Sequence, residues 1–225
     1  KNAKNLLQYL KEAALAFDEI VEEKNVPRIG IVGEIFIKYN SFGHQHIVDW
    51  LVKEGIEPVI PSLNEFFLQY FPNAKFNEKN FLEEKQSFMT KLLTMFGKKI
   101  VHSVEKKINK AHFRYYEDMT NIEEEAEKAS KIVSLAAQFG EGWLIPAEIA
   151  SFAERGINAA ISLQPFGCIA NHVISKGIEK KIKDIYPNMN LLFLDFDGGV
   201  SEVNVLNRLH FIAKAAKNNL QKDRK

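Results

Sequence analysis

The chain has 225 residues, of which 46% are hydrophobic and 26% are charged, with 30 Lys and Arg against 29 Asp and Glu. This is the composition of a globular protein with a full hydrophobic core, and a formal net charge of +1 gives no electrostatic reason to expect a nucleic-acid partner. A single Cys excludes an internal disulfide, and no apolar run approaches the ~20 residues that span a bilayer. We therefore expect a cytoplasmic protein with no membrane partner.

The first third of the chain predicts two strands and two helices. A leading amphipathic helix is expected over residues 3–24, a buried β-branched strand over 28–35, a helix over about 44–53 and a short strand over 57–61. Between residues 62 and 139 the pattern is helical throughout, at 62–71, 78–96, 98–113 and 121–138. A helical insertion of this size in an α/β chain is typical of a subdomain or a cap over one end of the sheet.

Strands and helices alternate again in the last third of the chain. The expected elements are a helix over 146–155, a strand over 159–163, a helix over 170–185, a strand over 190–195 and a helix over 201–218. This alternation with short loops predicts an α/β fold, a Rossmann- or flavodoxin-like open parallel sheet of about four strands. The expected domains are a leading helix (1–25), an α/β domain (26–61 and 140–220) and a helical insertion or cap (62–139).

Candidate binding residues follow the predicted strands. In an open parallel sheet, ligands bind beyond the carboxyl ends of the strands. The turn at Gly198 and Gly199 could present its amides to an anion such as a phosphate or a thioester oxygen, and Ser201 could cap the helix that follows. The substrate- or anion-binding candidates are Glu34 after strand one, Gln164 and Phe166 after strand three, and Asp195, Asp197, Gly198, Gly199 and Ser201 after strand four.

Cys168, just after the third strand, admits three roles from its sequence context. Isolated cysteines are most often small buried hydrophobic side chains. A nucleophile needs a thiolate and a base, and the features in favour are a helix start near Ala170 and the nearby His172. A metal ligand needs companions, because an iron–sulfur cluster takes about four ligands.

Asp195 and Asp197 form an Asp-x-Asp motif after an apolar strand. Such a motif is similar to the nucleophile loop of haloacid-dehalogenase-type phosphotransferases, which makes a magnesium-dependent phosphatase one hypothesis. Gly199 stands where that family needs Thr or Val, and too few residues follow Asp197 for the remaining catalytic loops. These two departures from the family pattern disfavour the phosphatase hypothesis.

Four segments together resemble one family, the activase-fused proteins related to 2-hydroxyacyl-CoA dehydratases (the CoA-substrate-specific enzyme activase family), in their C-terminal, dehydratase-like region. The resemblance covers about 26–215 and is least distinctive over 72–135. The combination of Gln-Pro-Phe-Gly-Cys with the later Asp-x-Asp and Asn-x-Leu-Asn-Arg is specific, whereas each piece alone is not. The segments are Ile-Gly-Ile-Val-Gly-Glu-Ile-Phe (29–36), Gly-Glu-Gly-Trp-Leu-Ile-Pro-Ala-Glu (140–148), Gln-Pro-Phe-Gly-Cys-Ile-Ala-Asn-His (164–172) and the run 195–208.

The resemblance implies a role in anaerobic metabolism. In that family an ATP-dependent activase passes single electrons to a component that holds a 4Fe–4S cluster through cysteines from separate parts of its chain, and reduction of a thioester carbonyl allows loss of a hydroxyl group. Cys168 matches the late cysteine of the family and is thereby implied to be a cluster and metal ligand. The other cysteines and the phosphate-binding loops of the activase are not in this sequence.

The implied protein is thus a C-terminal fragment, inactive alone, that supplies one cluster ligand and part of an acyl-CoA or electron-transfer site. The start of the chain, without Met or a signal pattern, is in keeping with that expectation. Its expected partners are the upstream activase and cluster-binding regions of the same polypeptide, a CoA thioester and a second copy in a homodimer. The cofactor is an iron–sulfur cluster in the full-length protein and none in the isolated fragment. The alternative is a non-catalytic α/β domain that binds a partner protein or a CoA ester at the carboxyl edge of the sheet.

Overall fold

The computed structural model describes residues 2–22, 24–83 and 121–222, with isolated residues between 84 and 120. Most of the helices predicted over 78–96 and 98–113 lie outside these residues. The chain divides into two compact units, one of Lys1–Asn25 with Asn77–Asn121 and one of Val26–Phe76 with Ile122–Lys225.

The first unit contains the predicted leading helix. Helix α1 spans Asn2–Ile20, and Ala14 is its buried apolar residue among those whose side chains are described. Tyr9, Leu15 and Ile20 on the same helix are exposed. In the described part of the chain, no helix is both long enough and apolar enough to cross a membrane.

The second unit contains the sheet, and the predicted open parallel sheet of four strands is confirmed. The strands are β1 (Arg28–Gly33), β2 (Glu57–Val59), β3 (Ala159–Pro165) and β4 (Asn190–Phe196). All three strand pairs are parallel, in the order β2-β1-β3-β4. The chain leaves β1 toward β2 on one side and reaches β3 on the other, so the topological switch point lies between β1 and β3.

Helices cover both faces of this sheet. On one face Ile31 of β1 packs with Ile47 and Leu209, and on the other Val32 packs with Ile149 and Ile182. The described helices after α1 are α2 (Ile35–Tyr39), α3 (Ile47–Lys53), α4 (Leu63–Leu68), α5 (Tyr70–Lys79), α6 (Ile122–Ser130), α7 (Leu144–Glu154), a π-helix (Ala170–Ser175), α8 (Glu179–Ile185) and α9 (Glu202–Lys222). Helices α2, α3 and α9 therefore lie on the first face, and α7 and α8 on the second.

The bounds of the helical insertion differ from the expected 62–139. Residues 62–76 and 122–139 belong to the unit that contains the sheet. The reason is a third apolar cluster, in which Ile122 and Ala126 of α6 pack with Trp143 and Leu144, and Phe66 of α4 lies against it. These helices are thereby an outer layer over α7.

The predicted helix over 170–185 is also divided. Residues Ala170–Ser175 form a π-helix, residues 176 and 177 are α-helical, and after a turn at Ile178 a further α-helix spans Glu179–Ile185. Short π-helical segments often occur at functional sites. This one directly follows Cys168.

Gly33 brings β1 close to β3 at the switch point. Its φ is +118°, and a Cβ there would lie 2.0 Å from the carbonyl oxygen of Leu163. Gly167 also has a positive φ, +85°, but has open space around its Cα. A side chain at Gly33 would meet both backbone strain and a steric clash, whereas a side chain at Gly167 would meet backbone strain alone.

We expect Gly33→Ala to lower the free energy of unfolding by more than ~3 kcal/mol, because strain and a backbone clash add. Gly167→Ala, the matched control, is expected to cost only ~1–2 kcal/mol, the strain of an L residue in the left-handed region. Urea denaturation of both variants measures the difference. Equal losses would show that the close approach at Gly33 does not constrain the sheet.

Candidate functional site

The ends of β1, β3 and β4 lie side by side at the carboxyl edge of the sheet. The amide of Glu34 donates a hydrogen bond to the Leu163 carbonyl (2.9 Å), which joins the end of β1 to β3. The amide of Phe166 donates to the Phe196 carbonyl (3.0 Å), which joins the end of β3 to β4. The candidate residues that follow these strands thus share one edge.

Glu34 has a structural partner at this edge. Its carboxylate accepts the Ile37 amide (2.9 Å) and so caps the first turn of α2. The neighbouring Ile35 amide donates to Glu141 (2.8 Å), which comes from the loop before α7. Burial, partly offset by these backbone hydrogen bonds, raises the pKa of Glu141 above its ordinary value. Two carboxylates therefore hold the start of α2 in place.

A buried contact between a lysine and a glutamic acid side chain lies behind these carboxylates. Lys38 of α2 contacts Glu148 of α7 at 2.7 Å, and both side chains are at most 3% exposed. Burial raises the pKa of Glu148 to about 8, against the opposing charge of Lys38 and with a further upward contribution from Glu65. Glu148 lies in the second turn of α7, and its partner is Lys38.

Tyr39 lies beside this cluster. Its hydroxyl donates to the Pro61 carbonyl (2.6 Å), and the Lys38 ammonium lies 5.3 Å from its ring centre. Burial first, and then the charges of Glu148, Glu65 and Glu141, raise its pKa above the usual range. The hydroxyl is thus a donor fixed on the turn after β2, with little tendency to ionise.

A second polar cluster centres on Asp195. Gln164 and Asp195 are opposite each other in the β3–β4 register, and the Gln164 amide donates to the Asp195 carboxylate. Lys176 donates to the other carboxylate oxygen (3.1 Å), and the His172 Nε2 lies 3.3 Å from the first. Burial alone would raise the pKa of Asp195, but the hydrogen bonds from Gln164 and Lys176 and the charges of Lys176 and His172 lower it. Both carboxylate oxygens of Asp195 thus have partners within the protein, which disfavours the phosphatase nucleophile.

Cys168 lies at the start of the π-helix and is half-buried, so it belongs to neither core. Its Sγ accepts a hydrogen bond from the Asn171 Nδ2 at 3.1 Å. The His172 Nδ1 is 3.0 Å from the carbonyl oxygen of Cys168, to which it can only donate. With Nε2 directed at Asp195, the imidazole does not serve the thiol as a base in this arrangement.

Two fully buried amides, one on β3 and one on the π-helix, each keep one oxygen without a hydrogen-bond partner among the residues that the structure describes. These atoms are Gln164 Oε1 and Asn171 Oδ1, in side chains that are 0% exposed. Their nitrogens are both used, one on Asp195 and one on the thiol. The amide orientations are thus set by the acceptors they serve.

The turn after β4 differs from the expected anion cradle. Asp197 accepts the Gly199 amide (2.7 Å), so this amide is occupied, and a carboxylate already lies in the turn. Gly198 and Ser201 are exposed, and the Ser201 carbonyl accepts the first helical bond of α9, from Val205 (3.1 Å). An anion at this turn would have to displace Asp197.

Exposed apolar side chains surround Cys168. Phe166 is 73% exposed, Ile169 67% and Val173 61%. The ring of Phe166 contacts His172 edge-on, with centroids 6.0 Å apart. An apolar rim next to a half-buried thiol is typical of a surface that another chain segment covers.

No group of three or more His, Cys, Asp or Glu side chains in the described residues is arranged to hold a metal ion. A cysteine-ligated metal centre that included Cys168 would need its other cysteine ligands from outside this sequence, since the chain has one Cys. The Asn171 hydrogen bond fits that use, because N–H groups that donate to sulfur are a common outer shell of iron–sulfur centres.

Sequence reasoning missed three residues of the site: Lys38, Asn171 and Lys176. Two of them carry a spacing signal, since Lys38 lies one helical turn after Glu34 and Asn171 lies three residues after Cys168. The partners of Lys38 and Lys176 are far away in sequence, so spacing alone does not identify them.

Comparison of the sequence with protein-family models and curated proteins, and of the fold with solved structures, found no match.

The buried Glu148 predicts how stability depends on pH. With a folded pKa of about 8 against an ordinary value of 4.5, the folded protein keeps a proton that the unfolded chain loses. The stability that this proton contributes is full below pH 4.5 and is lost as pH rises through about 8. We expect the free energy of unfolding to fall over that range, by at most ~1.4 kcal/mol per pH unit.

Glu148→Gln, which is neutral at every pH, is expected to flatten this decline in denaturation curves measured from pH 5 to 9. Glu141 adds a slope of the same sign to both proteins. The exposed Glu127→Gln is the matched control. Identical slopes in wild type and Glu148→Gln would contradict the assignment.

Proposed function

We propose that this chain supplies one cysteine ligand, Cys168, to an iron–sulfur cluster in a protein related to the 2-hydroxyacyl-CoA dehydratases. The carrying observation is the Cys168 thiol at the carboxyl edge of β3, half-buried and bound by the Asn171 amide at 3.1 Å. The sequence resemblance of segments 164–172 and 195–208 supports the same role. A bound cluster would supply single-electron transfer.

The surroundings of the thiol support this role in three ways. Asn171 donates a hydrogen bond to the sulfur, as outer-shell groups do to metal-bound sulfur. The Lys176 ammonium pairs with Asp195 (3.1 Å), which offsets the carboxylate charge at the edge where a centre with negative thiolates would form. The exposed Phe166 and Ile169 form an apolar rim on which the segment that carries the other ligands could pack and exclude water.

Lack of an imidazole base at the thiol disfavours the nucleophile function. His172 directs both ring nitrogens at oxygen atoms, those of the Cys168 carbonyl and the Asp195 carboxylate. A cysteine nucleophile needs a base at its sulfur or a strongly electropositive site. The ligand role asks only for an accessible thiolate held in one orientation.

Cys168→Ser in the polypeptide that carries this sequence is the direct test. After anaerobic reconstitution with iron and sulfide, we expect the variant to lose most of the charge-transfer absorption and of the bound iron, because serine oxygen is a poor cluster ligand. Lys180→Ala, an exposed change on α8, is the control and should retain both. Full iron content in Cys168→Ser would remove the ligand assignment and favour the non-catalytic interaction domain.

Asn171→Leu tests the outer shell of the same centre. Loss of the N–H donor leaves more negative charge on the sulfur, so we expect the midpoint potential to become more negative, with the iron content retained. A redox titration followed by electron paramagnetic resonance measures the potential. An unchanged potential at full iron content would show that the Asn171 hydrogen bond does not act on the cluster.

A further inference from the structure

A groove of about 540 Å³ lies between α3 and α9, on the sheet face opposite α7. Its floor consists of Ile47, Val205 and Leu209, each at most 5% exposed, with the half-buried ring of Trp50. Trp50 contacts His210 of α9 edge-on at 5.0 Å and so ties the two helices together. The groove therefore has an apolar floor, and the two helices on either side of it are fixed by their packing in the hydrophobic core.

The rim of the groove is exposed. Val52 is 60% exposed, and the charged Lys53 and Glu202 also line the groove at the surface. Pockets for small ligands enclose most of the ligand surface, which a channel with an exposed rim does not do. An apolar channel between two helices has the shape that receives the apolar face of a third helix.

The two unpaired charges of the rim have opposite signs and lie at opposite ends. Asp49 is paired with His46 at 3.0 Å, whereas Lys53 and Glu202 have no ionic partner in the described part of the chain. Glu202 begins α9 and Lys53 ends α3. The ring contact between Trp50 and His210 shows which residues of the two helices lie at the same height. Counting from there at about 1.5 Å per residue places the two charges ~15 Å apart along the groove, or about three helical turns.

Helix direction determines what complements these charges. Helices α3 and α9 each follow a parallel strand and run back from the carboxyl edge, so the Glu202 end of the groove is the end at which both helices start. A third helix in the opposite direction has its C-terminus beside Glu202 and its N-terminus beside Lys53. Basic residues are favoured at helix C-termini and acidic residues at N-termini. An acidic first turn and a basic last turn therefore stabilise the third helix by itself and also pair with Lys53 and Glu202 of the rim.

We propose that the groove between α3 and α9 is a docking site for an amphipathic helix of a partner protein. The helix runs antiparallel to α3 and α9. Its apolar stripe packs on Trp50 and Leu209, a basic residue in its last turn pairs with Glu202, and an acidic residue about three turns earlier pairs with Lys53. This site is independent of Cys168 and of the function proposed for it.

The test uses two hydrocarbon-stapled peptides of about 18 residues with the same apolar stripe. The first has an acidic first turn and a basic last turn, and its twin has the charges reversed; stapling gives both the same helicity. Fluorescence anisotropy with the full chain is expected to show at least tenfold tighter binding of the first peptide. Lys53→Glu combined with Glu202→Lys is expected to reverse the preference.

Two exposed valines provide a matched pair of variants. Val52→Arg, at the rim, is expected to weaken binding at least tenfold, whereas Val203→Arg on α9 lies outside the groove and leaves it unchanged. Thermal melts check that both variants fold.

Three outcomes overturn the proposal. The first is binding of neither peptide up to about 1 mM. The second is equal binding of the twins, which would leave only a nonspecific apolar surface. The third is a dimer of the chain that Val52→Arg dissociates, which would make a second copy the occupant.

Discussion

The approach of β1 to β3 at Gly33 is the constraint on which the carboxyl edge depends. Leu163 lies opposite Gly33 in the strand register, and its carbonyl leaves no room for a side chain there. Because the two backbones are in contact there, the chain turns directly from β1 into α2, and the Glu34 amide donates a hydrogen bond to the Leu163 carbonyl of β3. Glu34, Lys38 and the residues after β3 are thereby brought to one edge, although more than a hundred residues separate the two strands.

The two polar clusters at this edge handle charge differently. At Glu148 the carboxyl is fully enclosed, so burial outweighs the adjacent Lys38 and the group takes up a proton. At Asp195 the carboxyl is partly exposed and has three partners, so it stays ionised. The first cluster therefore anchors α2 to α7, whereas the second holds the π-helix against β4.

The strands and the parallel sheet could be predicted from sequence because buried parallel strands are short, mainly apolar runs, as in 28–33 and 159–163. The division of 170–185 could not, since its residues suit a continuous helix and the π-helical turn depends on tertiary contacts such as that of Ser175 with Ser162 on β3 (2.8 Å). Candidate residues after the strands were predictable as a set. Their partners were not, because Lys38 and Glu148 are 110 positions apart.

Each face of the sheet makes different demands on its helices. The face with α7 carries Ser162, Gln164 and Asp195 at alternate strand positions, and polar contacts from Ser162 and Asp195 hold the π-helix on this face. The face with α3 and α9 is held by apolar contacts, and its charged residues lie outside on the rim, unconstrained by the core. A site that must position one thiol therefore suits the face with α7. A surface that must accept another helix by shape and charge suits the face with α3 and α9, where side chains can adjust without disturbing the sheet.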